Sequence, residues 1–340
     1  MMNQTFHSPL LQIMREAIEE DLRASLAPLQ NEHGADMAEM IAYHLGWDER
    51  ERQSSGKRIR PLLGLLCCAT VGGEWATAIP AASAIELIHN FSLVHDDIED
   101  NSETRRGKPT LWKRWGIAKA INLGDAIFVL SRLAFYKFTD PKIPPERLLK
   151  VLHILDEACL ELTIGQQLDL AFEELEVVEL ETYLRMIYGK TSALVAAATM
   201  CGGIIAGAKD STIAILHEYG HHLGLAFQIR DDILGIWGET AITGKPTDDD
   251  LRSRKKTLPI LYGLKQSQEF KGLWETKRVD DEILVAMRQA LESSEALHYC
   301  NERAEAHTQS ALTALTSLNG RDPYQLELSN LTHNLLNRNL

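Results

Sequence analysis

HDDIEDNSETRRGKPTLW, residues His95 to Trp112, sets Asp96, Asp97 and Asp100 just ahead of Arg105, Arg106 and Lys108. If the segment is helical, Asp96 and Asp100 stand at i and i+4 on one face, with Cβ atoms roughly 5–6 Å apart. Carboxylates that close repel, and a cation relieves the repulsion. Hard divalent cations suit such oxygen donors, and Mg2+ typically binds one or two carboxylates together with substrate phosphates. The cations that follow suit an anion held through that metal. The plain alternative is a solvated acidic helix end beside a basic loop, because charge runs are common.

A second acidic site weighs against that alternative. Residues Phe227 to Pro259 read FQIRDDILGIWGETAITGKPTDDDLRSRKKTLP. Asp231 and Asp232 close an apolar helical run, and Lys245, Lys255 and Lys256 follow around a loop marked by Gly244 and Pro246. The grammar is the same twice: paired Asp on a helix, a Gly/Pro loop, then cations. Two such sites facing each other could hold a cluster of metal ions and one diphosphate. Each site alone is ordinary; the pair is specific.

Outward from these segments the pattern is helical almost everywhere. Leu10, Ile13, Met14, Ile18 and Leu22 keep helical spacing, as do Leu148, Val151, Leu152, Leu155 and Leu162. No clear period-two run and no Asn-Gly or Asp-Gly hairpin appears. Breaks fall at Ser54–Gly56, Gly72–Gly73, Gly107–Pro109, Asp140–Pro145, Gly207–Asp210 and Gly244–Pro246. The expectation is an all-α, single-domain bundle of about ten or more helices around a central apolar cavity, covering residues 1–340. The run from Ala193 to Ala208, sixteen residues long, is shorter than the roughly 20 needed to span a bilayer. It reads as a buried helix whose glycines let neighbours approach.

The net charge of −13 over 340 residues argues against general nucleic-acid binding. Five cysteines without a CxxC pair read as reduced core thiols of a cytoplasmic protein, with no disulfide framework or zinc site. The first residues lack a basic end followed by an apolar run and so do not form a secretory signal. No Ser-His-Asp arrangement, Walker loop or Rossmann glycine pattern occurs.

Other segments offer candidate ligands. GKRIRP, from Gly56, gathers Lys57, Arg58 and Arg60 in a cationic turn before a buried helix. It reads as an anion site at a helix N-terminus or as a solvated basic loop. His89, seven residues before Asp96, lies on nearly the same face and either bonds an anion or is a satisfied structural group. Gly189, Lys190 and Thr191 interrupt a helix, and a glycine there costs about 0.5–1 kcal/mol relative to Ala. A kink aiming Lys190 and Thr191 into a cavity would use that cost; a surface lysine is the alternative. GQQLDL places Gln166 and Asp169 within an apolar helix, lining a site or bonding within the bundle. Gln228 precedes the second Asp pair and could reach a diphosphate or make a structural hydrogen bond.

Taken in order, GKRIRP, HNFSLVHDDIEDNSETRRGKP, GQQLDL, GKT, FQIRDDILG, GKP and DLRSRKKTLP resemble the motifs of the all-trans polyprenyl diphosphate synthases. The motif-bearing core spans residues 54–262 or thereabouts. The resemblance implies an isoprenoid synthase-type fold and Mg2+-dependent condensation of isopentenyl diphosphate with an allylic diphosphate (dimethylallyl, geranyl or farnesyl), with three Mg2+ ions per site and a homodimer. It implies that Asp96 and Asp100, with Asp97 between, bind Mg2+, and that Asp231 holds a further Mg2+ with Asp232 assisting. Arg105, Lys190, Thr191, Gln228, Lys245 and Lys255 match positions contacting the allylic diphosphate. Gly56, Lys57, Arg60, His89 and Arg106 match the isopentenyl diphosphate site. Asp96, Asp97, Asp100, Arg105, Lys190, Asp231 and Lys245 form the implied catalytic set, and Arg338 matches a terminal cation. Gly235 replaces the final Asp of the second motif. Phe91 and Ser92, five and four residues before Asp96, resemble the arrangement of enzymes that stop near C20. Geranylgeranyl diphosphate is therefore the expected product. Alternatives are a farnesyl diphosphate synthase, a class I terpene cyclase, or a non-catalytic subunit of a heteromeric synthase. The intact basic residues speak against the last two.

Overall fold

The computed structural model describes residues 8–47, 56–238, 248–276 and 279–336. Helix α1 (Pro9–Ala24) starts where the Ser8 side chain accepts from the Leu11 N–H, with Pro at the first turn. It buries Leu11, Met14, Ile18 and Leu22; of the residues the spacing names, Met14, Ile18 and Leu22 are buried, while Ile13 is 54% exposed and Leu11 takes its place in the core. α2 (Ala35–Leu45) ends at Gly46 in the left-handed region, φ 75°. α3 (Ile59–Thr70) is buried nearly all round, and α4 (Ile79–Glu99) buries residues along most of its length. A hairpin of β1 (Thr104–Arg105) and β2 (Lys108–Pro109) follows. Then come α5 (Leu111–Trp115), α6 (Ile117–Leu133), α7 (Pro145–Glu174) and α8 (Leu180–Ile187). A π-helical turn, Tyr188–Ser192, leads into α9 (Ala193–Ile205) and α10 (Asp210–Trp237). The chain closes with α11 (Asp249–Ser253), α12 (Leu258–Gln266), α13 (Gln268–Trp274), α14 (Asp281–Ser293), α15 (Ala296–Ser317) and α16 (Tyr324–Leu336). The fold is all-α, as the periodicity predicts.

These elements form two compact units. Unit 1 comprises Met1–Cys159, Ala197–Leu216 and Leu318–Leu328. Within it α4 packs most extensively on α6. A Cβ at Gly124 of α6 would lie 2.2 Å from the His95 ring of α4, so glycine lets that side chain seat against the helix. Gly202 plays the same part on α9, where a Cβ would stand 2.2 Å from the Gly64 carbonyl of α3. The small residues of the apolar run thus bring backbones together.

Unit 2 comprises Leu160–Ala196, His217–Ser317 and Ser329–Leu340. One of its apolar clusters includes Phe172, Tyr183, Ile187, Ile229, Ile233 and Leu258. A second includes Ile236, Leu251, Ile260, Phe270, Leu284 and Met287. All five cysteines are free and buried, and burial pushes the Cys68 thiol up to about 12. No described helix is long and apolar enough to cross a membrane.

Candidate active site

In unit 1 the site grows from the end of α4. The helix stops at Asp100, whose N–H still bonds the Asp96 carbonyl at 2.9 Å. Asn101 then turns left-handed, φ 51°, and the chain enters the hairpin. Arg106 and Gly107 have φ of 52° and 75°, consecutive positive values of the kind a tight two-residue hairpin turn requires. Thr110 Oγ1 and Trp112 Nε1 both donate to the Ser102 carbonyl, at 2.8 and 2.9 Å, and pin the loop. The sequence reading finds no hairpin because the strands are two residues each and the turn is Arg-Gly, outside the Asn-Gly and Asp-Gly signatures.

The hairpin sets Arg105 against α4. Its Nε donates to both carboxylate oxygens of Asp97, at 2.8 and 3.0 Å, and its Nη2 lies 2.8 Å from Asp97 Oδ1. Asp96 Oδ2 is 3.5 Å from the same Nη2. Asp97 is 3% exposed; burial raises its pKa, against the opposing pull of Arg105. Asp97 therefore anchors Arg105 by charge-assisted bonds. Asp96 and Asp100 are the i, i+4 pair at the helix end, and their oxygens alone form a donor set that suits Mg2+ sharing phosphate oxygens. Among the described residues, no three His, Cys, Asp or Glu side chains gather into a metal-holding group.

The GKRIRP turn divides its cations. Arg58, φ 51°, is buried, with Nε on Glu19 Oε1 at 2.6 Å, Nη1 on Glu86 Oε1 at 2.9 Å and Nη2 on the Leu45 carbonyl at 3.1 Å. It is a structural ion pair with Glu19 and Glu86, so of the three cations of that turn Arg58 is spent inside the fold. Arg60 Nη1 lies 3.2 Å from His89 Nε2. A guanidinium only donates, so the imidazole accepts and is neutral; burial, then Arg60 and its cationic neighbours, push the ring well below the usual range. A Cβ on Gly56 would stand 3.0 Å from an Arg106 guanidinium nitrogen, which ties that glycine to the same cluster.

Beneath the aspartates, Phe91 is buried and stands edge-on to Phe128 of α6, centroids 5.1 Å apart at 65°. Ser92 Oγ donates to the His89 carbonyl at 2.8 Å. Phe128 has no motif to mark it; its one sequence signal is being the single aromatic of α6.

Unit 2 supplies a second cluster. Lys190, on the π turn, bonds Asp169 Oδ2 at 2.6 Å, and Lys255 approaches the same oxygen at 3.2 Å. Burial pushes the Asp169 carboxyl up, but Lys255 and Lys190 outweigh it and hold it below the usual range. Asp169, undecided in the sequence, thus pairs two candidate diphosphate cations. Glycines make this possible: a Cβ at Gly165 would lie 2.2 Å from the Lys190 backbone nitrogen, and one at Gly189 2.5 Å from the Glu161 carbonyl. The interruption expected at Gly189–Thr191 is this π turn, a feature frequent at functional sites.

Thr191 Oγ1 donates to Gln228 Oε1 at 2.6 Å, and Gln228 Nε2 donates to Asp232 Oδ1 at 2.9 Å. Asp232 also accepts from the Tyr183 hydroxyl and, at 3.1 Å, from the Leu258 N–H. It is 4% exposed, and burial raises its pKa. Asp232 is thus the hub of a buried network, while Asp231 beside it is half-buried. Lys256 turns away, donating to the Phe172 carbonyl at 2.6 Å. Lys245, Gly244, Pro246 and Arg338 lie outside the described residues.

Known proteins resemble this chain along most of its length. The family model described as polyprenyl synthetase matches residues 49–292. The chain is 37% identical over 342 residues to (2E,6E)-farnesyl diphosphate synthase of Mycobacterium tuberculosis, covering 97% of this chain and 93% of that one. It is 41% identical over 262 residues to a geranylgeranyl diphosphate synthase of the same organism, covering 75% and 74%. Its fold matches the crystal structure of geranylgeranyl pyrophosphate synthase from Corynebacterium glutamicum, complexed with isoprenyl diphosphate and magnesium. There the TM-score is 0.82 at 28% identity, over 96% and 98% of the two chains. Paired aspartates, a cation-lined turn, a second lysine cluster and these likenesses together place the chain in the polyprenyl synthetase family, as a prenyltransferase that elongates prenyl chains head to tail.

Proposed function

We propose that this chain condenses isopentenyl diphosphate with an allylic diphosphate in a Mg2+-dependent reaction, with three Mg2+ ions per site and geranylgeranyl diphosphate as product. The observation that carries the reading is the doubling of charged machinery. Unit 1 has Asp96 and Asp100 beside Arg105 and the Arg60–His89 pair, and unit 2 has Lys190 and Lys255 on Asp169. A cyclase needs one diphosphate site; condensation needs two.

When bound, Mg2+ supplies Lewis-acid neutralisation of charge on the departing diphosphate. Lys190 and Lys255 hold that diphosphate, with Thr191 and Gln228 beside them. Their fixed charges meet the electron pair it takes as the allylic C–O bond breaks. Lys57, Arg60 and Arg106, with Gly56 giving room and His89 steadying Arg60, hold isopentenyl diphosphate. Its double bond supplies the electrons of the new C–C bond to the allylic cation, and a proton from the adjacent carbon passes to a diphosphate oxygen. Binding both partners converts a bimolecular encounter into a positioned one. Apolar walls keep water from the cation.

Phe91, backed by Phe128, closes the path of the growing chain and sets a C20 product. Phe91→Ala lengthens the product on reversed-phase chromatography; an unchanged product would remove Phe91 as the floor. Farnesyl diphosphate is the competing product, since one relative is a farnesyl and another a geranylgeranyl diphosphate synthase. We assign the chain to the cytoplasm and to a homodimer. The deciding assay supplies the purified chain with Mg2+, isopentenyl diphosphate and, in turn, dimethylallyl, geranyl and farnesyl diphosphates, and sizes the products. Elongation in all three supports the reading. Hydrocarbon release without isopentenyl diphosphate would indicate a cyclase, and no turnover would indicate a non-catalytic subunit.

A further inference from the structure

His44 lies on α2, outside every motif of the sequence. It nevertheless lines a cavity of about 30 Å3 with Asp97, Arg105, Arg106 and Lys108, room for roughly one bridging water. Its Nε2 is buried and has no hydrogen-bond partner. The ring also bonds the Asn90 backbone. With Nε2 unpartnered, that bond belongs to Nδ1, whose proton goes to the carbonyl, and the lone pair is left on Nε2. Burial first, then Arg105, Arg106 and Arg58, push the imidazole down to about 3, so the ring is neutral at any working pH.

A neutral acceptor among guanidinium groups has a specific use. A carboxylate also orients a guanidinium, as Asp97 does for Arg105, but it adds a negative charge beside the diphosphate, which an imidazole does not. An imidazole lone pair orients and leaves the charge intact. The same device recurs where Arg60 meets His89. We propose that His44 is a positioning residue for the isopentenyl diphosphate site, its Nε2 lone pair orienting the Arg106 guanidinium through a water held in this cavity, without neutralising it. This rests on the condensation reading and on Arg106 serving isopentenyl diphosphate.

The test compares His44→Phe, His44→Gln and His44→Glu with the parent enzyme. It measures KM for each substrate, together with calorimetric titration of isopentenyl diphosphate alone into the Mg2+-loaded protein. Loss of the acceptor in His44→Phe weakens isopentenyl diphosphate about 2- to 10-fold, the value of one hydrogen bond, while KM for the allylic substrate stays within about twofold. His44→Gln keeps an acceptor and stays near the parent. His44→Glu keeps an acceptor but cancels a charge and weakens isopentenyl diphosphate further than Phe. Equal losses for both substrates, parental binding in Phe, or Gln and Glu behaving alike would overturn the proposal. If Phe fails to fold, the Gln–Glu comparison decides alone. A parent enzyme that does not turn over isopentenyl diphosphate would instead sink the condensation reading.

Discussion

Gly235 is where the second aspartate motif departs from DDxxD, and its neighbour explains the departure. A Cβ built on Gly235 would lie 2.2 Å from Asp250 Oδ2, and Asp250 is 9% exposed. The space a fifth-position side chain would need already holds a carboxylate. Gly235→Asp therefore overpacks the site and sets two acids together. It should cost about 1–3 kcal/mol in urea unfolding and lower kcat/KM for condensation. Combining it with Asp250→Ala vacates the space and should recover most of the lost stability. If Gly235→Asp alone is as stable as the parent, the packing argument fails. Sequence shows the glycine at 235 but not the carboxylate facing it, because Asp250 is fifteen residues on and the contact is tertiary. Asp97 is parallel: its place between Asp96 and Asp100 is legible in the sequence, but not that its oxygens meet Arg105.

At the scale of elements, helix existence was legible because apolar spacing is a local signal, but the exact buried face was not: α1 buries Met14, Ile18 and Leu22 as the spacing names them, yet turns Ile13 outward and Leu11 inward. Close crossings were not legible, since they depend on which helices meet. The π turn at Tyr188–Ser192 seats Lys190 only because Gly165 lets its backbone approach. Gly165→Ala should destabilise by about 1–3 kcal/mol or more and weaken allylic diphosphate binding, seen as a raised KM for that substrate. An unaffected KM in a folded variant would separate the crossing from the site. A histidine cluster between α10 and α15 carries a pH prediction. His222 Nδ1 lies 3.0 Å from His307 Nδ1, with His217, His221, Glu218 and Arg303 nearby. Burial, then His222 and His221, lower His307 from 6.5 to about 4. Below pH 6.5 the unfolded chain binds a proton that the folded chain refuses, so stability rises with pH. This contribution is present above about 6.5 and is lost as pH falls toward 4. The urea midpoint should drop across that window, and His307→Gln should flatten the drop; a parallel slope in the variant would exclude this histidine.

For the whole molecule, the fold class and the two acidic sites were readable because each rests on a local pattern, helical period or charged spacing. An exposed apolar face is a different kind of signal, visible only once burial is known. On α6 of unit 1, Ile117, Ile121, Val129 and Leu133 are 52%, 44%, 53% and 38% exposed. They recur at helical spacing on the face of a helix whose other face is spent on α4. Side chains of this size contribute about 1.5–3 kcal/mol each when fully buried, and a self-associating chain presents the same face from both copies, as a two-fold interface requires. We propose this face of α6 as the homodimer contact. Light scattering after gel filtration should give twice the 38.1 kDa chain mass. Ile121→Arg combined with Val129→Arg should shift the protein to the monomer mass while circular dichroism stays helical. A parent protein that runs as a monomer at micromolar concentration would end the dimer proposal. A doubly charged variant that remains a dimer would move the interface off α6.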